Sequence, residues 1–210
     1  MVTDIPYLMK AYRSVVWLNS FSLFLVVGLI VYTKFFGSSV EELFRHPPFA
    51  SSLDVGFLTN TFQILCAVPP VVCAFTFGLN TTIRPRSQEN LFILCSAFLT
   101  GGFLFNEIYR LHVVLAIAGV PKLATIAVYA IILLAYAFVF KRRIQSTPYL
   151  ILLIGLGLLF LGITVDSLHL GSGAISSLLE GLPKLFSEIN IAFYFWYVCY
   201  REVMRSLNPL

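Results

Sequence analysis

Asp166 and His169 stand three residues apart in VDSLHL, a spacing that puts a carboxylate and an imidazole about 60° apart on one face of a helix. Acid and histidine at that interval are the metal ligands of di-iron helical bundles, where the motif recurs in pairs; here it occurs once. A second group of reactive types lies in FNEIYRLH, residues 105–112, which carries Asn106, Glu107, Arg110 and His112. Glu107 and His112 are five residues apart, about 140° around an unbroken helix, so only a kink or a third helix lets both address one atom. Lys184, Glu188 and Asn190 open a later apolar stretch, and Asn60 opens an earlier one.

Zinc takes three or four convergent ligands, which His112, Asp166 and His169 could supply as a divalent-metal set. Glu107 or Glu188 would then be the catalytic base towards a metal-bound water. Asn60, Arg110 and Asn190 would bind a small polar ligand. Haem b held between His112 and His169 is the second choice of cofactor. Against all of these stands a plain structural account: Glu107 with Arg110 as an ion pair one helical turn apart, and two histidines near helix C-termini, where the dipole favours cations.

The elements that must position these residues are membrane helices. The 210 residues are 59% hydrophobic and only 11% charged, with a mean hydropathy of +0.89, whereas a soluble domain carries roughly 25% charged residues. Residues 14–33, 55–83, 123–140 and 144–165 each run without a charge for at least 18 residues. About 20 such residues cross about 30 Å of hydrocarbon. Residues 91–105 make a further span. Residues 189–200 are uncharged too, but twelve residues reach only about 18 Å, so that span must draw in Glu188 and Lys184. The expectation is an all-α bundle of six transmembrane helices in a single membrane domain, 1–210. The helices fall at about 14–34, 55–79, 90–113, 121–141, 147–169 and 182–202. GSGAISSLLEG, 171–181, reads as a small-residue linker, residues 36–52 as an interfacial segment, and no cleavable leader is apparent.

Six spans put both termini on one side. That side carries Lys10, Arg13, Arg84, Arg86, Lys141, Arg142, Arg143, Arg201 and Arg205, nine of the fourteen basic residues, and so faces the cytoplasm. A bacterial inner membrane or a thylakoid-type membrane is the expected location. The net charge of +4 is then a topological signal, and no basic stripe with interleaved aromatics points to nucleic acid. The candidate residues Asn60, Glu107, Arg110, His112, Asp166, His169 and Glu188 all fall towards the opposite, outward face. Glu107 and Glu188 sit roughly 5–10 Å beneath its boundary, where an ionisable group needs a partner.

Other chemistry is disfavoured. Cys66, Cys73, Cys95 and Cys199 lie within helices and form no CxxC, so they read as packing thiols. The Asn80-Thr81-Thr82 sequon lies on the cytoplasmic side, and GSGAIS lacks the strand–turn–helix setting of a nucleophile elbow. Pro69-Pro70 should kink the second helix and free carbonyls near mid-membrane. FLTNTFQILC, FNEIYRLH and the acid of the fifth helix together resemble a loose group of uncharacterised multi-pass bacterial membrane proteins. In that group the third helix ends with two acids and then His-Glu. This chain has Asn106-Glu107 for the acids and follows His112 with Val113, and the resemblance brings no activity with it. The chain looks unlike the seven-helix ceramidase and receptor superfamily, whose paired-histidine last helix it lacks.

The functional expectation is an outward-facing acidic and histidine pocket for a metal ion or small polar ligand, extending to metal-dependent membrane enzymology. One alternative is an auxiliary subunit held by a membrane-protein partner, suggested by the 15% aromatic content. The other is a proton-linked transporter, which has no visible ionisable relay in its inner half.

Overall fold

In hydrocarbon every backbone polar group must be satisfied within its own segment, and long apolar runs meet that demand as helices. The computed structural model describes residues 5–36, 39–44, 55–83, 88–168 and 174–207, and among these it is helical with no strand. The elements are α1 (Ile5–Phe36), α2 (Val40–Phe44), α3 (Phe57–Ile83), α4 (Gln88–Tyr109), α5 (Leu111–Ile117), α6 (Lys122–Val139), α7 (Lys141–Gln145), α8 (Tyr149–Leu168) and α9 (Ala174–Leu207). A helix lies at each of the six expected stretches. Four are long and apolar enough to cross a membrane: Leu8–Phe35, Phe57–Ile83, Glu89–Tyr109 and Tyr149–Ser167, while Leu123–Val139 is apolar but shorter. The chain is an all-helical protein of membrane type.

Two expectations need correcting. The third helix does not run to 113. It ends at Tyr109, and Arg110 takes a left-handed conformation at φ 49° and ψ 46° before α5 begins. A left-handed residue other than glycine costs roughly 1–2 kcal/mol, and it ends the helical spacing that related Glu107 to His112. The last helix does not start at 182 after a linker. It is continuous from Ala174 for 34 residues and carries Pro183 inside it. Small residues there let a neighbour approach: the ring of Phe44 lies where a side chain on Gly181 would stand.

The chain forms two compact units. The first comprises residues 1–65 and 150–194, the second 66–149 and 195–210. Helix α3 passes from one to the other between Leu65 and Cys66. These are the two residues whose carbonyls lose their helical donors to Pro69 and Pro70, both of which lie inside the helix.

In the first unit, α2 is tied to the start of α3 by Gly56 N–H to the Glu42 carbonyl at 2.7 Å and by the Thr59 hydroxyl to the Phe44 carbonyl at 2.8 Å. Gly56 supplies the φ of 74° that this turn requires. Helices α8 and α9 meet along Gly155 and Gly162, seven residues apart and so on one face. An ideal Cβ at Gly155 would stand 3.2 Å from the Ser187 carbonyl oxygen, and one at Gly162 would stand 3.1 Å from that of Glu180. Small residues that let backbones touch are how helices associate in lipid, where apolar surface gains little by leaving it.

In the second unit, Phe92, Tyr136 and Phe140 pack as an aromatic trio across α4 and α6, with centroids 5.2–6.0 Å apart. The Tyr136 hydroxyl is hydrogen-bonded to that of Ser96 at 2.6 Å. Arg143 bridges Glu202 and, at 3.5 Å, Glu89, while Arg205 approaches Glu202 at 3.4 Å. Asn80 is buried and accepts a bond from the Ser206 hydroxyl at 3.1 Å, so the sequon asparagine is a packing residue.

Among the six long helices the most buried, α9, is also the most polar. Residues 187–192 of α9 are buried without interruption, Ser187, Glu188 and Asn190 among them, while Trp17, Phe24 and Phe35 of α1 face outward. Polar groups in membrane helices turn towards protein because lipid offers them no hydrogen bond. That is why α9, with its acids and bases, falls short of the hydropathy of a lipid-facing span.

Candidate functional site

The residues singled out from the sequence divide between the two units. Glu107 and Arg110 belong to the second, as does the backbone of His112; Asn60, Asp166, Glu188 and Asn190 belong to the first. The side chain of His112 and all of His169 lie outside the described residues. Asn60 sits exposed in the first turn of α3. Glu107 is half-buried and accepts a long bond of 3.4 Å from the buried Asn106 amide; Arg110 is exposed at the break after α4. Glu188 is 2% exposed, in α9.

Asp166 pairs with lysine. The Lys184 ammonium lies 3.6 Å from its carboxylate and 2.6 Å from that of Glu180, one turn earlier on α9. The lysine stem crosses Gly162, with Cγ 2.8 Å from where a Cβ would stand, so the absent side chain on α8 is what admits it. Among the described residues no three His, Cys, Asp or Glu side chains are grouped to hold a metal ion. The metal set of His112, Asp166 and His169 rests on two imidazoles that are not described, and its carboxylate is engaged by a cation.

A different site stands in the first unit. Asn190 is 4% exposed, and its amide and that of Asn19 on α1 bond each other reciprocally: Asn19 Nδ2 donates to Asn190 Oδ1 at 3.2 Å, and Asn190 Nδ2 donates to Asn19 Oδ1 at 3.1 Å. Each Nδ2 also donates within its own helix, to the Val15 and Phe186 carbonyls at 2.8 and 2.6 Å. All the amide N–H groups are thereby used, and each Oδ1 keeps acceptor capacity.

The pair lies on the wall of an open cleft of about 470 Å³ between α1, α8 and α9. Its other walls are almost wholly apolar, with Val15, Val16, Ile154, Leu158, Pro183 and Phe186 among them; Ser20 adds a hydroxyl. The volume falls within the usual range for small-molecule sites, which combine apolar walls with a few fixed polar groups. Among the described lining residues there is no acid or base. Such a site can bind and orient a molecule.

Asn190 was among the residues expected to bind a ligand, and Asn19 was not. The signal was present: an amide inside VVWLNSFSLF, a run that otherwise meets lipid.

No curated protein and no solved structure matches the chain. A family model described as a domain of unknown function, DUF8692, matches residues 14–199, and the chain belongs to that family.

Proposed function

We propose that the protein binds a small, mainly apolar molecule dissolved in the membrane, in the cleft between α1, α8 and α9. The single observation behind this reading is the Asn19–Asn190 amide pair set into otherwise apolar walls, with acceptor capacity left on both oxygens. The ligand it suits is amphipathic, with a long or ring-shaped apolar body and one hydroxyl or amine to donate. This retains the small-ligand function expected from the sequence and moves its seat from the outer acidic and histidine cluster to the cleft. The role is binding.

The proposal also holds that all six long helices cross the membrane, with both termini cytoplasmic. It is supported by the distribution of basic residues: six spans would put Lys141, Arg142, Arg201 and Arg205 on the side of the termini, and Lys141 and Arg142 are exposed. Membrane-impermeant thiol labelling of Arg142→Cys and Val120→Cys variants tests the orientation. Label reaching position 142 from the outside of intact cells overturns it.

The binding test is mass spectrometry of the protein purified in mild detergent, on wild type and on Leu158→Trp, which fills the cleft. One bound apolar molecule per chain, lost in the variant, is the expected result. A wild-type protein that carries nothing, or a ligand retained in a folded Leu158→Trp, refutes it.

A further inference from the structure

We propose that Cys73 and Cys199 form an oxidisable thiol pair that peroxide closes to a disulfide, joining α3 to α9 within the second unit. The two sulfurs lie 3.7 Å apart, within hydrogen-bonding distance for sulfur. A disulfide bond is about 2.05 Å long, so each sulfur has to move by a little under about 1 Å, the scale of a side-chain rotation. They stand 126 positions apart in the chain, so the fold alone creates the pair.

Burial selects the oxidant. Cys73 is 0% and Cys199 1% exposed, on helices within a protein of membrane type. Thiol–disulfide exchange needs the attacking reagent to reach sulfur, which excludes a bulky, charged disulfide such as that of glutathione. In the resting structure the two residues are closed even to a water-sized molecule, so oxidation takes place during local opening of the helices, which the small, uncharged hydrogen peroxide exploits most readily. In the first step one sulfur attacks a peroxide oxygen as it gives up its proton; the S–O bond of a sulfenic acid forms, the O–O bond breaks, and the departing hydroxide takes that proton and leaves as water. The second sulfur then attacks the sulfenic sulfur, the S–S bond forms, the S–O bond breaks, and the departing oxygen takes the second thiol's hydrogen as water. Two electrons pass from the two sulfurs to one peroxide, which ends as two waters.

Closure has a defined mechanical effect. Cys199 lies one turn before the Arg143–Glu202 contact, and Cys73 lies in the segment of α3 that ends near the Asn80–Ser206 bond. A covalent link between them reinforces the same α3–α9 packing and leaves the rest of the unit free to keep its contacts.

The test uses the wild-type chain in membranes. After treatment with hydrogen peroxide, free thiols are alkylated under denaturing conditions and the protein is digested without reductant for mass spectrometry. The expected product is a Cys73 peptide joined to a Cys199 peptide, with the intact chain lighter by two hydrogens. Dithiothreitol should reverse it, and the closed form should unfold at higher temperature. Oxidised glutathione should leave the pair open, and Cys73→Ser or Cys199→Ser should abolish the link without creating another. Both thiols recovered as alkylated after peroxide, a link to Cys66 or Cys95 instead, or stable sulfinic acid at either position overturns the proposal. Closure by oxidised glutathione as readily as by peroxide overturns the burial argument. The wild-type peptide map decides the matter even if neither serine variant folds.

Discussion

Gly155→Ala puts two opposing effects against each other at a single methyl group. In an isolated helix alanine is better than glycine by about 1 kcal/mol, so local propensity favours the change. The packing opposes it. The new Cβ would stand 2.9 Å from Ile191 Cγ1, 3.2 Å from the Ser187 carbonyl oxygen and 3.3 Å from Asn190 Cβ. Carbon pairs are at ease at about 3.5–4.0 Å, so relief needs a shift of roughly 0.6–1.1 Å at Ile191. A β-branched side chain yields poorly, and the carbonyl belongs to the α9 backbone, so α8 and α9 must separate. Overpacking of this kind costs about 1–3 kcal/mol, and the net loss is about 0–2 kcal/mol once propensity is subtracted. Gly157, two residues on, meets nothing within 4 Å, so Gly157→Ala should be neutral or stabilising by up to about 1 kcal/mol. For a chain of this size 1 kcal/mol moves the unfolding midpoint by about 2–4 °C, and since the propensity gain is common to both variants, the overpacking cost separates them by about 2–12 °C. Thermal unfolding of both proteins in one mild detergent measures the difference. A Gly155→Ala protein as stable as Gly157→Ala would show that the close approach of the two helices does not hold them together.

Asn19→Ala and Asn190→Ala should each lower stability, and the double variant should cost less than their sum by about 0.6–1.7 kcal/mol, the range for polar pairs between membrane helices. Strict additivity in that double-mutant cycle would mean the two amides do not interact. Lys184→Met removes the ammonium that Asp166 and Glu180 share and should destabilise the first unit. Adding Asp166→Asn should restore part of the loss, and a double variant worse than Lys184→Met alone would contradict the ion-pair account. In reconstituted vesicles with a pH-sensitive dye, Glu188→Gln should leave proton movement at the wild-type level, as the proposed binding role requires. Flux that depends on Glu188 would argue for transport.

Helix positions and membrane class were legible in the residues because both are local properties. A run of uncharged residues is long enough to cross or it is not, and helix is the form in which a single segment satisfies its own backbone. The same reading marked Asp166, Lys184, Glu188 and Asn190 as residues that need partners. It could not name the partners. Asn19 and Asn190 are separated by 171 positions and Cys73 and Cys199 by 126. Which of them meet depends on which helices are neighbours, and helical periodicity carries no information about that. In a soluble protein the apolar face would at least point inward. Here lipid is as apolar as the core, so hydropathy does not distinguish a side chain facing outward, such as Phe24, from a buried one such as Ile191. The break at Arg110 was hidden for another reason: arginine has no preference for the left-handed region, so nothing in IYRLH signals it. The length of α9 was masked by small residues that usually mark a loop. They are helical because Gly181 gives Phe44 room to pack, a contact that exists only once α2 has been brought to α9.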